Sequence, residues 1–292
     1  MPLPLPTGLS PSKVSSFTDC GLAFRFSAID HLPEPPSVAA TRGTLVHAAL
    51  ERLFLLEPAA RTHEQSLRCL EEAITDLREH PEYAGLELDD AAERVFHDEA
   101  RELLARYFRL EDPTSITPIG VELRLEVEVG GVHLRGIIDR LELDADGELV
   151  VTDYKTGKAP GERQEQQRLA GVAFYSLLCE RLFGKRPARV QLLYLADPVA
   201  IISVPTDRST RGVERKLAAI WMAIERACER EDFRPNPGRL CDWCGFKAYC
   251  PSFGGEVSLA DAYRTEWERA REAAVAAASV VDVVEIDVAV AS

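Results

Sequence analysis

The segment ELVVTDYKTGK, residues 148–158, ends an apolar run with an acid, an aromatic and a lysine, then stops at Thr-Gly. In an extended strand, side chains alternate, so Asp153 and Lys155 share one face and Tyr154 takes the other. A second acid, Asp139, sits in LRGIIDRLEL, and positions 139 and 153 are symmetric about a turn near residue 146. On a hairpin the two carboxylates then stand opposite each other. Like charges that close repel unless a cation lies between them. Hard oxygen ligands of this kind suit Mg²⁺, and an ammonium one alternation beyond, on Lys155, can offset charge growing on a phosphate. The competing reading of this hairpin alone is an acid pair relaxed by Lys155 and Arg140 without a metal.

A second group of chemistry-bearing residues lies near the C-terminal end. LCDWCGFKAYCP holds Cys241, Cys244 and Cys250, three of the seven cysteines, within ten positions. Such crowding points to thiolate ligands that need a fourth partner, for zinc or for an iron-sulfur cluster. Cys69, Cys179 and Cys228 have apolar neighbours and read as small packing residues. Trp243, Phe246 and Tyr249 interleave the ligands, and shielding of a metal site is favoured for them over base stacking.

The elements that must position these groups follow from periodicity. LSPSKVSSFTDCGLAFRF predicts a helix over 12–24 carrying Cys20, with Ser-Pro-Ser as cap and first turn. TRGTLVHAALERLFLL spaces its apolar residues by three and four, an amphipathic helix with His47 near its start. Residues 63–79 and 89–110 predict two more helices, a helical insertion at about 57–112 rather than a separate domain. Three antiparallel strands are expected at 121–129, 132–143 and 148–155, with a Gly130-Gly131 turn and an Asp-Ala-Asp-Gly turn at 144–147. A helix over 163–183, strands at 188–196 and 200–204, and a helix over 207–230 complete a mixed α/β (α+β) pattern around one sheet. Residues 256–292 read as a helical or flexible tail.

Here the chain resembles a known family. RGTLVHAALE, GIIDR and VVTDYKTG, in that order, look like the successive motifs of the RecB-like branch of the PD-(D/E)XK nuclease superfamily. The resemblance spans residues 9–253 and implies a restriction-endonuclease-like core within a nuclease domain at 1–255. It implies His47, Asp139 and Asp153 as ligands of Mg²⁺ or Mn²⁺, with the backbone carbonyl of Tyr154 beside them and Lys155 as the catalytic amine. The family's glutamine four residues before a tyrosine is missing: Tyr175 fits, but Gly171 stands four before it, with Gln167 and Gln166 one turn earlier. Glu51 and Glu122 are acids in supporting places. Cys20 falls where this family keeps a lone cysteine, so Cys20, Cys241, Cys244 and Cys250 are implied as the ligands of a 4Fe-4S cluster that ties the two ends of the domain, with Zn²⁺ as the alternative.

Composition bounds what the chain can do. With 292 residues and 46% hydrophobic content it can bury a core. No run is long and apolar enough for a membrane span, so a cytoplasmic protein without a membrane partner is expected. The net charge of −14 argues against coating nucleic acid by bulk electrostatics, though not against a local basic surface. Residues 155–189 hold eight basic residues against three acidic, among them Lys158, Arg163 and Arg168. With Arg42, and with Arg208, Arg211 and Arg215, they are candidate phosphate contacts; solvated helix faces are the equal alternative. The sum is a metal-dependent DNA exonuclease acting on single strands or frayed ends in repair or recombination, alone or with a helicase partner. Trimming of DNA in CRISPR spacer acquisition, or a non-catalytic DNA-binding module on the same fold, remain the alternatives.

Overall fold

The computed structural model describes residues 2–281, with side chains omitted for 162–170 and 274–281. Its contacts divide the chain into two compact units, Met1–Pro6 with Ser15–Glu34 and Ile224–Ser292, and Thr7–Val14 with Pro35–Ala223. In chain order the helices are α1 (Pro11–Asp19), α2 (Gly21–Ala28), α3 (Val38–Phe54), α4 (His63–Arg78), α5 (Pro81–Ala84), α6 (Asp90–Tyr107), α7 (Glu162–Phe183), α8 (Asp207–Arg230) and α9 (Asp261–Val281). The strands are β1 (Pro118–Val129), β2 (Val132–Leu143), β3 (Leu149–Lys155), β4 (Arg189–Tyr194) and β5 (Val199–Ser203).

In the larger unit the strands form one mixed sheet in the order β1-β2-β3-β4-β5. β1, β2 and β3 pair antiparallel, β3 and β4 pair parallel, and β5 returns antiparallel to β4. The parallel step follows from the intervening helix α7, since parallel neighbours need a crossover. Gly130 and Gly131 turn β1 into β2 with φ of 59° and 79°, the pair of positive values a tight two-residue hairpin demands. At the next turn the Asp144 carboxylate accepts from the backbone N–H groups of Asp146 and Glu148, each at 3.0 Å. That turn sets the expected register: Arg140 faces Thr152 and Leu141 faces Val151, and the paired ladder ends there, one residue short of Asp139 and Asp153.

The insertion helices share a core with α3. Leu45, Ala49, Leu50 and Leu53 are fully or almost fully buried against Leu70 and Ile74 of α4 and Phe96 and Leu104 of α6. Tyr154, Leu193 and Leu195 reach the same cluster from the sheet. The apolar face of α3 is thereby locked to the strands that carry the Asp-Tyr-Lys segment. On β2, Gly136 admits close packing: an added Cβ would lie 2.9 Å from Leu178 Cδ1 and 3.2 Å from Tyr175 Cε1 of α7.

In the smaller unit the expected helix over 12–24 is instead two, α1 and α2, broken at Cys20, whose backbone is extended at φ −158° and ψ 110°. The break has local causes. Asn236 donates its side-chain N–H to the Asp19 carbonyl at 2.8 Å, its backbone N–H points at Cys20 Sγ, and Leu22 N–H donates to the Arg234 carbonyl. These bonds replace the helical ladder and turn the thiol toward residues 234–250. Helix α9 is held through buried Asp30, whose two carboxylate oxygens take Arg25 at 2.9 Å and Arg264 at 2.6 Å. Residues 282–292 lie outside the described residues.

Candidate metal centre

Helix α3 and strands β1, β2 and β3 bring five chemistry-bearing side chains to one end of the sheet. His47, Glu122 and Asp139 offer ligand atoms that all lie within 4.8 Å of one another. His47 Nδ1 stands 3.6 Å from Asp139 Oδ2 and 3.8 Å from Glu122 Oε1. Its Nε2 is 3.1 Å from the Tyr154 carbonyl, which can only accept, so Nε2 carries the proton and Nδ1 is the nitrogen presented to the acids. The carbonyl expected among the ligands therefore orients the imidazole.

Asp139 is fastened twice. It is buried, and its Oδ2 accepts the backbone N–H of Tyr154 at 2.6 Å. Asp153, 5% exposed, does not fall within the 4.8 Å set; its Oδ2 forms an ion pair with Lys155 yet has no hydrogen-bond donor of suitable geometry. Burial pushes the Asp153 carboxyl up to about 6, against the pull of Lys155 and with the push of Asp139. For His47, burial alone would lower the pKa, but the nearby carboxylates of Asp139 and Glu122 outweigh it and raise the imidazole to about 10. Lys155 is likewise raised, because the Asp153 charge overcomes its burial. Half-buried Tyr175 faces the same acids: burial, then Asp153, Asp139 and Glu122, hold its phenol protonated well above its usual range. Negative charge thus converges on a pocket with a protonated imidazole, an ammonium and a neutral phenol around it. An oxygen-rich set with one imidazole fits a hard divalent cation.

Glu122 is the residue the sequence treats as a bystander. It lies at φ 45°, in the left-handed region, which costs a non-glycine residue about 1–3 kcal/mol. Its neighbours pair as Val121 with Arg140 and Leu123 with Ile138, so it stands level with Asp139 across the hairpin. The signal was available: 122 and 139 are symmetric about the Gly130-Gly131 turn, by the same count that pairs 139 with 153. No contact of the Glu51 side chain with these groups is recorded among the described residues.

Arg140 does not relax the acid pair. Its side chain is fully buried on the other side of β2, and all five of its N–H donors are used. Nε donates to Glu142 at 2.6 Å, Nη1 to Tyr154 Oη at 2.7 Å and to Glu111 Oε1, and Nη2 to Glu111 Oε2 at 3.0 Å and Thr152 Oγ1 at 3.1 Å. The guanidinium also lies 4.6 Å from the Phe54 ring centroid of α3. This network clamps the Tyr154 side chain, and with it the backbone whose N–H and C=O serve Asp139 and His47.

The remaining expected site residues divide. Arg42 pairs with Glu99. Lys158 is exposed in the loop after β3. Arg163, Gln166, Gln167 and Arg168 fall on α7, and their side chains lie outside the described residues.

In the smaller unit Cys20, Cys241, Cys244 and Cys250 line one cavity with Leu22 and Phe26. Burial raises the Cys244 thiol, the Phe246 N–H opposes it, and Cys20, Cys241 and Cys250 each push it up further. Of the interleaved aromatics, Phe246 is 5% exposed and lies 5.6 Å from the Phe26 ring, a shielding position. Trp243 is 79% exposed and does not shield the thiols.

Residues 8–251 match the family model described as the PD-(D/E)XK nuclease superfamily. The chain is 24% identical over 273 residues to the Gene 69 protein of Mycobacterium phage D29, covering 84% of this chain and 96% of that protein. It is 26% identical over 136 residues to the Gene 69 protein of Mycobacterium phage L5, covering 46% of this chain and 44% of that one. A crystal structure from Eubacterium rectale, named "Putative exonuclease", shares the fold with a TM-score of 0.52 at 15% identity, over 82% of this chain and 87% of that chain. Among the described residues, no helix is long and apolar enough to cross a membrane.

Proposed function

The chain belongs to the PD-(D/E)XK nuclease superfamily, and from that premise we propose that it is a divalent-metal-dependent DNA exonuclease working on single-stranded or frayed ends in repair or recombination. The observation that carries the reading is the convergence of His47, Glu122 and Asp139 within 4.8 Å, with Asp153 and Lys155 alongside. His47, Glu122 and Asp139 would hold Mg²⁺ or Mn²⁺, with Asp153 completing the set. When bound, such a cation polarises a phosphoryl oxygen and makes water more acidic.

The chain's own groups do the rest. The Tyr154 carbonyl fixes the imidazole tautomer and the Tyr154 N–H fixes Asp139, so two ligands are preorganised by one backbone unit. The Lys155 ammonium, kept charged by Asp153, faces the space where negative charge grows on the phosphate. The Tyr175 phenol, kept protonated, is a hydrogen-bond donor for a phosphate oxygen. The decisive experiment is digestion of end-labelled single- and double-stranded DNA with Mg²⁺ or Mn²⁺. Shortening from the ends is expected, strongest on single strands, and abolished by EDTA. No cleavage with either ion would leave a non-catalytic DNA-binding module.

For the cysteines we propose a 4Fe-4S cluster with a structural role. Cys20, Cys241, Cys244 and Cys250 line one cavity, which supports a shared group held by all four thiols. Anaerobically purified protein is expected to be brown, and Cys244→Ser to lose iron and stability, the latter by on the order of 2–5 kcal/mol as for a lost cross-link over a long loop. Iron content and urea unfolding check this; a colourless variant of unchanged stability and activity would overturn it.

A further inference from the structure

The basic segment 155–189 is largely engaged in ion pairs with this chain's own acids. Arg181 places Nη2 2.9 Å from both carboxylate oxygens of Glu214, Arg186 pairs with Asp207, Lys185 with Glu148 at 2.9 Å and Arg189 with Asp144 at 3.4 Å. Two of those acids, Asp207 and Glu214, belong to the first half of α8. Their neutralisation from outside leaves that half of the helix with uncompensated positive charge. Arg208, Arg211, Arg215 and Lys216 are exposed, and none forms an ion pair or hydrogen bond with a described residue. Arg211 acts on Asp207 only weakly, behind Arg186.

The spacing gives this charge a direction. Positions 208, 211 and 215 recur at three and four residues and share one helix face, and at 1.5 Å per residue they span about 10.5 Å. A stacked strand advances about 3.4 Å per nucleotide, so the row covers about three nucleotide steps. Beside it, Ser209, Gly212, Val213 and Lys216 form the α8 wall of a cavity of about 330 Å³. Gly212 leaves that wall open, since an added Cβ would meet nothing within 4 Å. Thr206 and Ser209 cap the helix by exchanging bonds at 2.8 and 3.1 Å, which holds the first arginine of the row in register. In a chain of net charge −14, a row of arginines whose neighbouring acids are occupied from elsewhere is a local anion-binding surface.

We propose that the Arg208–Arg211–Arg215 row, with Lys216 on the cavity side, binds the phosphodiester backbone of a single-stranded DNA substrate. This rests on the nuclease reading for its ligand. The three guanidinium groups, spread over about three nucleotide steps, neutralise phosphates along the strand and fix its path without reading its bases.

The test is binding of a fluorescein-labelled oligo-dT to the full-length protein, without added Mg²⁺ or Mn²⁺, by anisotropy from 50 to 300 mM KCl, a range of the kind over which phosphate contacts are read. The variant Arg208→Gln/Arg211→Gln/Arg215→Gln should bind at least about tenfold more weakly at low salt and show a log-log salt slope shallower by about 2, from about 0.7 per lost phosphate contact. Arg68→Gln/Arg94→Gln/Arg109→Gln, which removes the same charge from the insertion helices and their C-terminal end, should leave the slope unchanged, and three lysines in the α8 row should preserve it. Equal slopes for the wild type and the α8 variant, or equal loss in both triple variants, would overturn the proposal. Wild-type cleavage of the same strand with Mn²⁺ is the separate readout of the nuclease reading: a protein that cuts yet shows no α8 dependence refutes only the row, and one that never cuts refutes the catalytic premise.

Discussion

Lys155→Ala is expected to slow cleavage by at least about 10²–10³-fold, the usual cost of removing one charge-stabilising donor from a preorganised site, with the fold intact. The lysine is partly exposed and its main recorded partner is Asp153, so its loss removes no core packing. It does remove the cation paired with a carboxylate that burial already holds near 6, leaving the weaker pull of His47. Asp153 then shifts further toward its neutral form, and the site loses an anionic ligand together with the amine. Asp153→Asn should accordingly match Lys155→Ala in rate, and the double variant should be little worse than either, since groups acting as a unit are not additive. Single-turnover cleavage at saturating Mn²⁺, with circular dichroism as a check on folding, measures this. A Lys155→Ala protein within tenfold of wild type would remove the amine from the chemistry.

The largest stability effect is expected at Arg140. Its five donors are satisfied by Glu111, Glu142, Tyr154 and Thr152, and it is fully buried. Arg140→Ala strands Glu142, itself buried, and the Glu111 carboxylate without their cation. Breaking a buried ion pair from one side costs about 3–5 kcal/mol. Arg140→Lys should recover little, because one ammonium cannot reproduce the planar fork. Replacing the set together, as Arg140→Met/Glu111→Leu/Glu142→Leu, should restore much of the loss, because the penalty comes from unpaired charge rather than from the absence of the pair. Urea unfolding of the three variants tests the sequence of effects. A loss under about 1 kcal/mol in Arg140→Ala would mean that water reaches the acids, as at an exposed pair.

Much of the candidate metal centre's placement was legible because it depends on local arithmetic. Strand alternation and a turn centred near 146 suffice to align Asp139 with Asp153, and the helix carrying His47 follows from apolar residues at three and four. Glu122 was read as a supporting acid because an acid on an alternating strand looks solvated, although its symmetry with Asp139 about the Gly130-Gly131 turn sets the two level across the hairpin. The break at Cys20 was invisible, since helical propensity there is overridden by hydrogen bonds from Asn236 and to Arg234, more than two hundred residues away. Charge was the least legible property. Counting residues placed the basic surface at 155–189, with Arg208, Arg211 and Arg215 as further candidates, whereas folding paired five of that segment's eight cations with acids and left the α8 row without an ion pair to any described residue.

The sequence by itself determined which groups are available and in what order along the chain: an imidazole on a helix, acids on adjoining strands, an amine two residues past the last acid, and four separable thiols. Tertiary structure alone decided which acids share the imidazole, which arginine is buried as a clamp and which cations stay free. The physical reason is range. Periodicity and turn geometry act over a few residues, while ligand convergence and charge neutralisation depend on partners brought together across the whole chain.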